Sequence, residues 1–280
     1  MNKSHPTLRY PADRPGRRDR CKGVHVWMRA GLALFIGVLL APRLVVAQDV
    51  RVAAAADLQV ALPELATRFE RATGLRVQAI FGSSGNISTQ IQNGAPYDVF
   101  LSADVEYPRH LVELGLGSRD ALATYARGRL VLWSRNDSTV DLKQGLKGLN
   151  AETVRRIAIA NPVHAPYGRA AVAALRHEGM YDRVSGRLVL GENISQAAQF
   201  AQSGNAEVGI IALALALGPS LRAAGRYVEI PATFHPPIEQ AALWLRTARN
   251  PTAARQFVEF LQQPASREYL QTMGFEPVVR

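Results

Sequence analysis

V-R-V-A-A-A-A-D-L-Q-V-A-L-P-E-L-A-T-R-F-E-R-A-T-G-L-R-V-Q-A-I-F (50–81) reads as strand, helix, strand. Val50 to Ala54 is a short apolar strand. Leu58, Leu62, Leu65, Phe69 and Ala72 then recur at spacings of four and three, one face of an amphipathic helix, and Gly74 closes it. Pro63 falls inside that stretch and predicts a kink or thinning of the helix. Leu75 to Phe81 supplies the second strand. The alternation continues with a helix near Ile87 to Gln92 and strands at Tyr97 to Ser102 and Arg129 to Trp133. Beyond them come a strand at Ile157 to Ala160, a helix at Gly168 to His177, a strand at Leu188 to Leu190, a helix at Ile194 to Ser203 and the buried strand Val208 to Ala212. Helices around Ala253 to Gln262 and Ala265 to Met273 end the chain. This order predicts an α/β fold with mainly parallel sheets and two lobes of about 100 to 130 residues each.

Four segments look like helix beginnings: A-A-A-A-D-L (53–58), F-G-S-S-G-N (81–86), N-P-V-H-A-P-Y-G (161–168) and G-E-N-I-S-Q (191–196). A helix start leaves backbone N–H groups unpaired and carries a partial positive charge. In an α/β sheet such turns gather beyond the carboxyl ends of the strands. Converging, they would bind an oxyanion without lysine or arginine.

Composition redirects the search for partners. The formal net charge is +10, but residues 1–47 hold nine Lys/Arg and two acids, so the remainder is about +3. The basic balance therefore gives no case for nucleic acid. Ala30 to Ala41 is a 12-residue uncharged apolar run, followed by V-V-A at 45–47. It is too short to span a membrane and reads as a signal peptide over residues 1–47, cut after Ala47, with Met28 the better start. Arg17-Arg18 would suit a twin-arginine signal, but the following D-R-C-K-G fits it poorly. Cys21, the only cysteine, precedes the apolar run and leaves with it, so it is no lipoprotein cysteine. The chain shows no G-x-S-x-G, no H-E-x-x-H and no Walker loop, and His164 has no metal-type spacing with His110, His177 or His235. No enzyme, cofactor or metal is expected from these patterns.

The motifs in order, A-A-A-A-D-L, F-G-S-S-G-N with Q-I-Q-N-G-A-P-Y-D-V-F-L-S-A-D, I-A-N-P-x-x-A-P-Y-G-R-A-A, and G-E-N-I-S-Q-A-A-Q-F with S-G-N-A-E-V-G-I-I-A, resemble the periplasmic molybdate-binding proteins of ABC importers. The resemblance spans about Val50 to Phe275. It implies a type II periplasmic-binding-protein fold with lobe I over 48–129 and 234–280 and lobe II over 130–233. Two hinge crossings would lie near Arg129 to Trp133 and Pro231 to Leu243. It also implies a periplasmic monomer that closes around molybdate or tungstate and passes it to a membrane permease. The family's anion contacts map onto Ala56, Asp57 and Ser84 in one lobe and Tyr167 and Ile194 in the other, the last two through backbone N–H.

Two positions depart from the family pattern: many members have serine where this chain has Asp57, and some have an anion-contacting tyrosine where it has Ala212. Asp57 reads first as a helix N-cap, accepting from the N–H of Gln59 or Val60. The sharper reading is that it reshapes the site for another ligand. Asn193 and Gln196 form a capping box. Arg169 is a solvated charge or an anion screen. Asp98 and Asp104 flank a strand and suggest no acid/base pair. Beside molybdate capture stand two alternatives, a binder of another oxyanion or small organic anion and, from another class, a secreted hydrolase or lyase on the same frame.

Overall fold

A computed structural model describes residues 49–278, so the expected signal peptide and its cleavage point lie outside the described residues. The chain begins with β1 (Val50–Ala55), α1 (Leu62–Thr73), β2 (Val77–Gly82), α2 (Ser84–Gln92), β3 (Val99–Ser102), α3 (Glu106–Glu113) and β4 (Leu122–Gly128). It then builds a second lobe from β5 (Leu130–Arg135), β6 (Ile157–Ala160), α4 (Pro166–His177), α5 (Tyr181–Val184), β7 (Leu188–Gly191), α6 (Ile194–Gln202), β8 (Val208–Ala212), α7 (Leu213–Ala216), α8 (Pro219–Ala224) and β9 (Gly225–Glu229). It returns to the first lobe as β10 (Ile238–Trp244), α9 (Pro251–Gln262) and α10 (Pro264–Thr272). Among the described residues no helix is long and apolar enough to cross a membrane.

Each lobe holds a five-stranded sheet, ordered β2-β1-β3-β10-β4 in the first and β7-β6-β8-β5-β9 in the second. In each, three strands pair in parallel, and one reversed strand, β10 or β5, is antiparallel to both of its neighbours. The two-lobed α/β architecture is as expected, with mainly parallel sheets in the sense that a single strand of each is reversed. That strand is the one that receives the chain from the other lobe. Only Arg129 separates β4 from β5, and residues 230–237, with Pro231, Pro236 and Pro237, lead into β10.

The first helix departs from its sequence reading. Residues Ala56–Gln59 form one turn of 3-10 helix, and α1 begins only at Leu62, with Pro63 in its first turn. Proline lacks an N–H, which costs nothing where that N–H has no intrahelical partner anyway, so the helix starts at the proline instead of kinking over it. Leu62, Leu65 and Phe69 are buried along its inner face. Phe69 meets Phe257 of α9 edge to face at 5.1 Å between ring centroids. Each such buried side chain is worth about 1.5–3 kcal/mol. In the second lobe Ile157, Ala158, Ile159 and Ala160 are all fully buried, as a strand covered on both faces must be.

Candidate functional site

The four turns meet. Ala56, Asp57, Ser84, Tyr167 and Ile194 all line one small cavity between the lobes. The Ala56–Gln59 turn and the start of α2 form one wall, and the starts of α4 and α6 form the other. No lining residue is lysine, arginine or histidine. Among the described residues none accepts a hydrogen bond from the backbone N–H of Ser84, Tyr167 or Ile194. The Ser84 side chain is fully buried, and its Oγ accepts from the Ala103 N–H at 3.0 Å, leaving its proton to donate.

The helix starts form for local reasons. Asn193 caps α6, its Oδ1 accepting from the N–H of Ser195 and of Gln196 at 3.0 Å each. Gln196 reaches back to accept from the N–H of Glu192 at 2.7 Å, one residue earlier than a capping box requires. Pro166 opens α4, and Ser83, extended at φ −77° and ψ 145°, precedes α2 without a side-chain cap bond.

Asp57 is not an N-cap. The residue in the capping position is Ala55, and the Asp57 carboxylate makes no cap bond to Gln59 or Val60. It turns inward instead and is wholly buried. Its Oδ2 accepts from the Tyr167 hydroxyl at 3.0 Å and from Gln240 Nε2 at 2.7 Å. A cap needs its acceptor one position before the helix, and Asp57 is inside the turn, where a hydroxyl and an amide from α4 and β10 hold the carboxylate. Gln240 is itself fixed by Tyr125, whose hydroxyl lies 3.3 Å from its Oε1. Gly128 leaves room for this cluster, because a Cβ there would stand 2.1 Å from the Tyr167 hydroxyl.

Burial pushes the Asp57 carboxyl up from 3.8 to about 6. The Tyr167 and Gln240 bonds and the nearby Asp57 and Leu58 N–H groups pull the other way. Burial, and then the neighbouring Asp57, holds the phenols of Tyr125 and Tyr167 well above their ordinary value, so both are neutral. Asp57 Oδ1 is buried and has no partner.

The lobes touch around this cavity. The Gly85 N–H donates to the His164 carbonyl at 2.9 Å, and Ser83 Oγ lies 2.9 Å from His164 Nδ1. Arg169 pairs with Asp104 and donates to the Tyr107 hydroxyl at 2.9 Å, and it is outside the cavity lining. Ser195 Oγ meets Gln59 Oε1. Asp98 is structural, accepting from the N–H of Arg51 and of Arg249. Ala212 ends β8 opposite Leu130 and is outside the cavity lining.

Sequence reasoning missed Gln240, Tyr125 and the Ser83–His164 contact. Gln240 left a faint signal, an uncharged polar residue within the strand I-E-Q-A-A-L-W (238–244). The serine and histidine left none, being 81 positions apart. Among the described residues no carboxylate is bonded to the other ring nitrogen of His164, and no three His, Cys, Asp or Glu side chains gather as a metal set.

Comparison with known proteins agrees with this geometry. The family described as bacterial extracellular solute-binding protein matches residues 50–276. Molybdate-binding protein ModA of Rhodobacter capsulatus is 38% identical over 251 residues, 89% of this chain and 96% of that relative. Molybdate-binding protein ModA of Azotobacter vinelandii is 37% identical over 229 residues, 82% of this chain and 90% of the relative. The solved periplasmic molybdate-binding protein of Azotobacter vinelandii superposes with a TM-score of 0.76 at 35% identity, over 82% of this chain and 99% of the other. With two lobes, helix starts that converge on the cleft between them, and a family match across the described chain, the protein belongs to the bacterial extracellular solute-binding proteins.

Proposed function

We propose that this chain captures molybdate or tungstate between its lobes and delivers it to the membrane permease of an ABC importer. The observation that carries the reading is the convergence of unpaired helix-start N–H groups on one cavity without lysine or arginine. Charge-assisted bonds from fixed N–H groups and helix dipoles hold a tetrahedral anion by its shape as well as its charge. The names of the two relatives and of the solved structure support molybdate as the ligand. Work in the periplasm as a monomer, with neither catalysis nor a cofactor, follows from the same reading.

The Ser83–His164 pair gives the hydrolase alternative its one foothold. A nucleophile and base need a third group to orient the base, and this histidine comes from the opposite lobe without one. Holding the lobes together is the simpler role. Titration calorimetry of the purified protein with molybdate, tungstate, sulfate and phosphate tests the proposal. Tight binding of the first two is expected. Preference for another anion, or none for any, would refute it.

A further inference from the structure

Asp57 places a carboxylate inside a cavity otherwise arranged to receive negative charge. Two observations say which of its oxygens meets the ligand. Gln240 Nε2 can only donate, and the Tyr125 hydroxyl donates to the amide oxygen at the other end of that side chain at 3.3 Å. Oδ2 is therefore held as an acceptor, bonded also by Tyr167. Oδ1 is left buried and unpartnered on a residue that lines the cavity. A bare buried carboxylate oxygen opposes a dianion, whereas a protonated one is a hydrogen-bond donor.

Building on the functional reading above, we propose that Asp57 holds the oxyanion as a neutral acid, its Oδ1–H donating to a ligand oxygen, so that each dianion captured takes up one proton from solvent. The bond formed is O–H···O; no covalent bond of the ligand changes. The surroundings leave Asp57 as the group that takes the proton. Tyr167 on α4 and Tyr125 on β4 are the titratable groups beside it. The charged residues of elements packed on the Ala56–Gln59 turn, Arg51 on β1 and Glu64, Arg68, Glu70 and Arg71 on α1, make no bond to it. Nearby Arg127 pairs with Glu239, and Arg169 with Asp104. The raised carboxyl, about 6 before any ligand arrives, shows that little more is needed to protonate it near neutrality.

The consequence is a receptor whose affinity falls as pH rises, even though its ligand stays a dianion. The test is calorimetry of the purified protein with molybdate at about pH 7.5, in Tris and in HEPES, whose ionisation heats differ. Close to one proton taken up per molybdate is expected for wild type, with Kd weakening about tenfold per pH unit above neutrality. In Asp57→Asn the amide replaces the acid, so uptake should vanish and Kd should change less than about twofold over the same range. Binding by wild type without proton uptake would overturn the proposal, and it needs no variant. So would uptake that persists in Asp57→Asn, since the proton would then sit elsewhere, on the ligand or on His164 beside Ser83. No binding of molybdate or tungstate at any pH would overturn the functional reading and this one with it.

Discussion

Replacing Gly85 by alanine should hold the lobes apart. Gly85 is in the first turn of α2, and its missing side chain lets the helix press on the backbone of His164 across the cleft. An added Cβ would stand 2.7 Å from the His164 oxygen and 2.9 Å from its Cα, where ordinary contact begins near 3.4 Å. Those neighbours are backbone and cannot swing aside, so the cleft must open by about 0.7 Å, the difference between 3.4 and 2.7 Å. The Gly85–His164 hydrogen bond, 2.9 Å long, would stretch to roughly 3.6 Å and be lost. That bond is worth about 0.5–1.5 kcal/mol, and one second-lobe N–H pulled off a charged ligand about 1.5–3 kcal/mol more. Affinity should fall by about 2–4.5 kcal/mol, roughly thirty- to two-thousandfold. The unliganded protein relieves the clash by opening, so its stability to denaturant should change by less than about 1 kcal/mol. Calorimetry with molybdate and urea unfolding of the same sample measure both. Affinity within about threefold of wild type would show that the lobes need not meet here to hold the ligand.

Further outcomes follow from the same contacts. Ser84→Ala removes a cavity hydroxyl and should weaken molybdate binding by about 1.5–3 kcal/mol in calorimetry. Sulfate is smaller, so fixed N–H groups cannot reach all its oxygens; losing two such bonds should cost it roughly a hundredfold or more relative to molybdate in a competition assay. The folded carboxyl of Asp57 is raised to about 6 from 3.8, so between those values the folded chain keeps a proton that the unfolded chain has lost. Its ionisation therefore lowers stability as pH rises, by roughly 3 kcal/mol once above 6. Unliganded Asp57→Asn should accordingly be more stable than wild type at about pH 7, with the gap closing toward pH 4; a pH-independent gap in melting experiments would contradict the burial argument. N-terminal sequencing of exported protein should begin at Gln48, and a product that keeps Cys21 would disprove cleavage after Ala47.

The sheets and three of the four helix starts were legible because they rest on short-range signals. Val208–Ala212 is an unbroken apolar run, and Asn193 with Gln196 announces α6 within four residues. Pro63 was legible too, but its meaning depended on where the helix began, and a turn of 3-10 helix has no period long enough to read. β4 mixes half-buried with buried residues and β9 half-buried with exposed ones, on strands of seven and five that show no clear alternation. The five cavity residues came from the resemblance and lie together in space. What Asp57 does there was hidden, because its partners are 110 and 183 positions away. A local cap is what a lone sequence offers such an aspartate; the competing bonds exist only after both lobes and the return strand have assembled.

The position of β10 also fixes an order of completion. It is an inner strand of the first sheet, between β3 and β4, yet it comes from near the end of the chain. All five strands of the second sheet lie between Leu130 and Glu229, so that lobe can close its ladder as soon as its own residues are available. The first lobe, begun earlier, has β4 without its neighbour until Ile238–Trp244 arrives. A chain emerging from its N-terminus therefore finishes its second half before its first. The half that starts the protein stays open until residues 238–244 are available, with only the last 36 residues still to come.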